Sequence, residues 1–129
     1  MQVQVLSPSK VVEKKEANEI MVAGFEGYMG VLPGHASMIS QLGCGKLQLD
    51  NGTSYFVSGG YIQVENDEVT VLADVIEEVA LIDVERAKES KKRAEARLKE
   101  TSQEYKVDYN RAQLSLRRAE ERLELAKKQ

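Results

Sequence analysis

Five arginines stand at helical spacing in the last third of the chain: Arg86 and Arg93 seven residues apart, and Arg111, Arg118 and Arg122 at steps of seven and four. Such steps return a helix to the same side, so each set forms a stripe. A guanidinium is a planar fork that pairs bidentately with phosphate or carboxylate. Two chemistries are therefore open to these stripes. One is ion pairing with Glu85, Glu89, Glu120 and Glu121 on solvated faces; the other is a shared anion, either a phosphate-bearing ligand or an acidic protein surface. If the stripes meet, their mutual repulsion costs energy unless carboxylates or an anion share the space; ion pairing is the first reading for any one arginine, and the shared anion is its rival for the set.

Other reactive residue types are scarce. His35 is the only histidine and Cys44 the only cysteine, which excludes an internal disulfide and a zinc cluster of the usual ligands. Pro33-Gly34 accounts for His35 as a turn position. Cys44 sits between two glycines with no His nearby to lower its pKa, and reads as a small filler in a reducing compartment. Ser58-Gly59-Gly60 lacks the lysine of a P-loop and stands between two strands, so it predicts a bulge or a close strand crossing. No nucleophile, base and orienting group can be assembled, and no catalytic or metal residue is predicted.

The elements that must position these residues are of two kinds. Up to Ile82, strand signals recur every eight to twelve residues, the spacing of an all-β sandwich or barrel: Gln2–Leu6, the approach to Gln48-Leu49, Tyr61–Glu65 and Glu68–Leu72. Asn51-Gly52 and Asn66-Asp67 mark tight hairpins with positive φ. Beyond Ile82 the pattern becomes helical. Asp83 is placed as an N-cap for a helix from Val84 to Glu100, residues 101–107 are the weakest stretch, and a second helix runs from Asp108, its cap, to Lys127. The sequence thus predicts an α+β chain: an N-terminal all-β sandwich over residues 1–82, followed by a two-helix antiparallel hairpin over 83–129.

Charge divides at the same place. Residues 1–82 hold four lysines against eleven carboxylates, and residues 83–129 hold fourteen Lys and Arg against ten, so the overall −3 joins an acidic module to a basic one. Aromatic content of 5 % with no Trp predicts an aliphatic core. No apolar run reaches the roughly 18 residues of a transmembrane helix, and Met1–Leu6 has no leader-like pattern, so a soluble chain is expected.

The predicted helices share a seam of small residues. Ala80, Val84, Ala87, Lys91, Ala94 and Leu98 on the first, and Ala112, Leu116, Ala119, Leu123 and Ala126 on the second, follow 4,3,4,3 spacing. Alanines let helices approach closely but bury little, while i,i+4 pairs such as Glu89/Arg93 support each helix alone. Such a hairpin has a marginal closed state and is a candidate switch.

The segment Gly24-Phe25-Glu26-Gly27-Tyr28-Met29-Gly30-Val31-Leu32-Pro33-Gly34-His35 holds four glycines and a proline in twelve residues. It predicts an ordered loop whose Tyr28 and Met29 either form a contact surface or fold back onto the sandwich. With Ala36 it resembles the signature Gly-x-Glu-Gly-x-x-Gly-x-x-Pro-Gly-His-Ala of the epsilon subunits of bacterial-type F-type ATP synthases. Ser58-Gly59-Gly60 followed by Val69–Asp74 is similar to that family's second hallmark. Tyr28 and Met29 stand where many relatives carry a charged and then an aliphatic residue, and Ser37 replaces a common proline.

The resemblance implies a non-catalytic rotor subunit in the central stalk, peripheral on the cytoplasmic face of a bacterial membrane and less readily on a thylakoid stromal face. It implies gamma, the c-ring and the alpha and beta subunits as partners, with the membrane reached only through the complex. The loop residues Glu26, Gly27, Tyr28, Met29, Gly30 and His35 would lie near the ring, and the helices would restrain ATP hydrolysis when extended. Some members bind ATP in the folded hairpin through Ile/Leu-Asp-x-x-Arg-Ala and arginines on the second helix. Ile82, Asp83, Arg86 and Ala87, with Arg118 and Arg122, match that pattern, which makes ATP a candidate regulatory ligand with no cofactor required. Two other classes compete. A nucleic-acid-binding or adaptor hairpin is disfavoured by interleaved acids and missing aromatics, and a small hydrolase by its missing machinery.

Overall fold

The computed structural model describes the backbone of residues 1–50, 52–100 and 106–127, and side chains over 1–50, 52–99 and 109–127. Seven strands open the chain: β1 Gln2–Leu6, β2 Val11–Glu16, β3 Ile20–Gly24, β4 Gly27–Val31, β5 Met38–Leu49, β6 Ser54–Glu65 and β7 Glu68–Glu78. Their hydrogen-bonded order is β2-β1-β7-β6-β5-β3-β4, antiparallel except for β1 against β7.

This one ladder makes a sandwich because its long central strands turn over part-way. In β6 all of Tyr55, Phe56, Val57 and Ser58 are buried before the glycines, but the core itself takes Tyr55 and Val57 there and Ile62 and Val64 after them, so the parity that faces the core switches from odd to even. Gly59 and Gly60 carry that switch at φ 76° and 104°, a region in which glycine is at ease. A Cβ on Gly60 would stand 1.9 Å from the Leu72 carbonyl oxygen. Ser58-Gly59-Gly60 is thus a close strand approach. Around the fold, Val3, Val5, Ile20, Val22, Val31, Leu47, Leu49, Val57, Ile62, Val69 and Val71 are essentially inaccessible and form one aliphatic core.

The Asn66-Asp67 hairpin is as expected: both residues have positive φ, 49° and 62°, between the paired Glu65 and Glu68. In the β5–β6 connection the described positive φ falls on Asp50, at 52°, while Asn51 lies outside the described residues. The glycine-rich segment corrects an expectation. It is not a loop but a β-hairpin, in which β3 and β4 pair from Ile20↔Val31 to Gly24↔Gly27 around a Phe25-Glu26 turn. Its glycines act at crossings: a Cβ on Gly24 would sit 2.7 Å from the Gly27 carbonyl oxygen, and one on Gly43 of β5 2.3 Å from that of Gly24.

The contacts divide the chain into Met1–Val79 and Ala80–Gln129. A short 3-10 turn, Val79–Leu81, precedes helices α1, Val84–Glu100, and α2, Lys106–Lys127. At 1.5 Å per residue these are about 25 and 33 Å long. Joined by residues 101–105 and packed on each other, they run antiparallel. Asp83 caps α1 as expected: its Oδ1 accepts the Arg86 N–H at 3.1 Å and its carbonyl accepts Ala87 N–H at 3.0 Å. Asp108 is not the cap of α2, because the helix already includes Lys106 and Val107; the expectation about residues 101–105 lies outside the described residues. The seam is real but shorter than expected. Ala87, Ala94, Ala112 and Ala119 are buried, and Lys91, Leu98, Leu116, Leu123 and Ala126 half-buried, whereas Ala80 is exposed in the 3-10 turn and Val84 is 37 % exposed. Among the described residues no helix is long and apolar enough to cross a membrane.

Candidate functional site

Two candidate regions exist, one in each unit. In the hairpin, the residues of the Ile-Asp-x-x-Arg-Ala motif mostly have folding duties. Ile82 is half-buried at the entry, Asp83 spends its carboxylate on the cap, and Ala87 is a seam residue 4 % exposed. Arg86 is the exception: its side chain is exposed and, among the described residues, in no ion pair. Glu85 pairs instead with Lys88 at 3.6 Å, and the Arg93 guanidinium reaches Ser90 Oγ at 3.5 Å.

Antiparallel order decides which residues of α2 lie level with that motif. Ala87 and Ala94 are one heptad apart on α1, as are Ala112 and Ala119 on α2, so Ala94 faces the level of Ala112 and Ala87 that of Ala119. Arg118 and Arg122, both half-buried, then flank the level of Arg86. Arg86, Arg118 and Arg122 thus belong to one end of the hairpin, as the heptad arithmetic of the sequence requires. The hairpin's groove, about 450 Å³, is elsewhere. It is lined by Leu98, Asn110, Gln113, Leu114, Leu116, Arg117 and Glu120, none of them a residue of the motif.

In the sandwich, the loop residues expected near a partner separate by direction. Glu26 is exposed in the hairpin turn, Gly27 has φ 131°, and Gly30 is exposed. Met29 is half-buried and packs on the core. Tyr28 is 58 % exposed, and its ring lies outside over Gly45, with its hydroxyl accepting the Lys46 N–H at 3.0 Å. The two alternatives for this pair are therefore divided, Met29 inward and Tyr28 outward. His35 is exposed in a turn closed by its N–H to the Leu32 carbonyl at 3.1 Å, and its Nδ1 lies 2.8 Å from the Ala36 carbonyl oxygen. The Asp67 carboxylate accepts the Gly34 N–H at 3.2 Å and ties this turn to the β6–β7 hairpin.

Sequence reasoning missed the two most exposed apolar groups of the described β unit. Phe25 and Ile39 are each 72 % exposed, and both line a groove of about 480 Å³ with Gly24, Glu26, Gly27, Tyr28, Met29, Ser40 and Gln41. Tyr61, opposite Gln41, and Leu32 are exposed as well. An exposed apolar patch with a polar rim marks a contact surface. For Ile39 the signal was strand parity: it shares the outward face with Gln41 while Leu42 points in. One group inside the sandwich is perturbed. Tyr55 has its pKa pushed up to about 12, first by burial and then by donating its hydroxyl hydrogen to Glu13 Oε2 at 2.9 Å.

Residues 1–79 match the family described as ATP synthase, delta/epsilon chain, beta-sandwich domain, and residues 82–127 the family of its long alpha-helix domain. The chain is 38 % identical over 125 residues to the ATP synthase epsilon chain of Desulforamulus reducens, spanning 95 % of this chain and 93 % of that one. It is 42 % identical over 127 residues to that of Bacillus cytotoxicus, spanning 96 % and 94 %. In fold it is similar to a chain of the Euglena gracilis mitochondrial ATP synthase, OSCP/F1/c-ring in rotational state 1. There the TM-score is 0.82 at 22 % identity, over 96 % of this chain and 79 % of that one.

Proposed function

Because the chain belongs to the epsilon-chain family of the F-type ATP synthase, whose members are non-catalytic accessory subunits of that complex, we propose that its two halves divide the labour of a central-stalk subunit. Residues 1–82 bind gamma and the c-ring, with the surface around Phe25, Tyr28 and Ile39 turned to the ring. Residues 83–129 restrain ATP hydrolysis when the helices part and extend toward the alpha and beta subunits. ATP held by Arg86, Arg118 and Arg122 favours the closed hairpin by its binding free energy. The complex seats the chain on the cytoplasmic face of the membrane.

The observation that carries this reading is the seam: among the described residues of the hairpin the buried side chains are Ala87, Ala94, Ala112 and Ala119, with Leu125 the one larger member. Each methyl contributes roughly 0.8 kcal/mol, against about 1.5–3 kcal/mol for a buried Val, Leu or Ile. Helices so joined can separate without unfolding. The basic hairpin would also be drawn to acidic surfaces of catalytic subunits.

The test is ATP hydrolysis by the remaining enzyme reconstituted with the full chain or with one ending at Ile82, each with and without preincubation in millimolar ATP. Faster hydrolysis with the short chain is expected, as is relief of the full chain's restraint by ATP that Arg122→Ala abolishes. Equal rates would make the hairpin a structural appendage.

A further inference from the structure

We propose that Tyr28 is a positioning residue: its hydroxyl holds the β3–β4 hairpin at one fixed place on β5, and so fixes the groove that Phe25 and Ile39 line. The reason lies in a mismatch between strands. Val22 pairs with Leu47 and Gly24 with Leu42, so two steps along β3 answer five along β5. The surplus residues of β5, at Gly43-Cys44-Gly45-Lys46, cannot all find ladder partners on β3.

One backbone donor in this stretch is met by a side chain. Lys46 N–H donates to Tyr28 Oη at 3.0 Å, although Tyr28 is on β4, one strand beyond β3. Because Tyr28 pairs with Ala23, its ring reaches across β3 from β4 to β5. Gly45 makes room for it. A Cβ there would stand 2.6 Å from Tyr28 Oη, 3.3 Å from Cζ and 2.9 Å from Ala23 Cβ. Small residues at 23 and 45 and a long hydroxylated ring at 28 are therefore one device spanning three strands. The ring stays 58 % exposed, so its place is set by this bond rather than by burial.

The device sits beside the groove. Phe25 N–H is bonded to the Gln41 carbonyl at 3.0 Å in the turn of the same hairpin, and Ile39 lies two residues from Gln41 on β5. With the turn end of the hairpin tied to β5 on either side of the surplus residues, at Gln41 and at Lys46, the exposed Phe25 and Ile39 keep a constant spacing. The bond itself is independent of any partner, while its consequence for coupling rests on the proposed ring-facing surface.

Hydrogen exchange in the full chain tests the bond. Tyr28→Phe keeps the ring and removes the acceptor, and should speed exchange at the Lys46 amide roughly three- to tenfold, the equivalent of one net hydrogen bond. Exchange at Val57 and Val71 should stay unchanged. Gly45→Ala displaces the ring and should produce the same local acceleration, with the two substitutions together no worse than either alone. Unchanged exchange at Lys46 in Tyr28→Phe would overturn the proposal. In the reconstituted complex, Tyr28→Phe should lower ion uptake per ATP hydrolysed; faster exchange with unaltered coupling would overturn the positioning role. Ile39→Asp separates the two ideas. Coupling that ignores Ile39→Asp counts against the ring-facing surface, whatever Tyr28→Phe does to Lys46.

Discussion

The sandwich and the hairpin solve the problem of cohesion in opposite ways. The sandwich closes over branched aliphatic side chains drawn from strands far apart in sequence, such as Val3, Ile20, Leu47 and Ile62, all at 1 % exposure or less. The hairpin closes mainly over four alanines from two neighbouring helices, with Leu125 the one larger buried side chain among its described residues. Losing any one contact in the first leaves a cavity, whereas the second has little to lose. What this teaches is that one short chain can hold two units of unlike cohesion, set apart by the chemistry of their buried side chains.

The comparison breaks most visibly in the sandwich. Ile62→Ala removes a fully buried side chain and should cost about 2–5 kcal/mol, read as a fall in the denaturant midpoint of the β unit. A much smaller cost would mean that the sandwich is not the rigid half. Next, Ala119→Leu forces a large group into the hairpin's seam and should destabilise closure by about 1–3 kcal/mol. Melting of the β signal should not move. If it does, the two units do not respond separately.

A smaller effect is expected at the start of α1. Asp83→Ala removes the acceptor for the Arg86 N–H and should cost roughly 1 kcal/mol of helix stability, seen as faster exchange in the first turn. Since Asp83 also belongs to the candidate nucleotide motif, Asp83→Asn sharpens the comparison: it keeps the cap and removes the charge. The smallest effect at neutral pH is at Tyr55. Its pKa is raised from 10.0 to about 12 by burial and the Glu13 bond, so the fold favours the protonated phenol. That stabilisation is fully present below pH 10 and is lost as pH rises through 12. Tyr55→Phe should flatten the alkaline limb of the sandwich's stability profile and leave the hairpin's unaltered.

Local rules made the periodic and punctuated parts legible. Asn66-Asp67 announced its turn, Asp83 its cap, and the heptad-spaced alanines their seam, because each depends on neighbours within a few residues. What failed depended on distant strands. The glycines from Gly24 to Gly30 looked like loop residues, yet Gly24 is needed because Gly27 and Met29 of β4 crowd it, and Gly43 of β5 because Gly24 crowds it in turn. Tyr28 read equally as a group offered to a partner or one folded back onto the sandwich, and its bond to Lys46 follows from a β3–β5 register that no local pattern encodes. Ile39 was missed because the inward parity of β5 changes between Leu42 and Leu47. The candidate arginines were found by spacing, and Asp83 and Ala87 beside them proved to serve the fold as well.

The claim that most needs a direct test is that α1 and α2 part while the sandwich stays whole. A distance between labels on Lys92→Cys and Gln113→Cys, both exposed in the hairpin, would report it in the assembled enzyme once Cys44 is replaced by serine. Two populations are expected, a short one that grows on adding ATP and a long one that grows when hydrolysis is restrained, with the sandwich's exchange pattern the same in both. A single short distance in restrained and active enzyme alike would contradict the account.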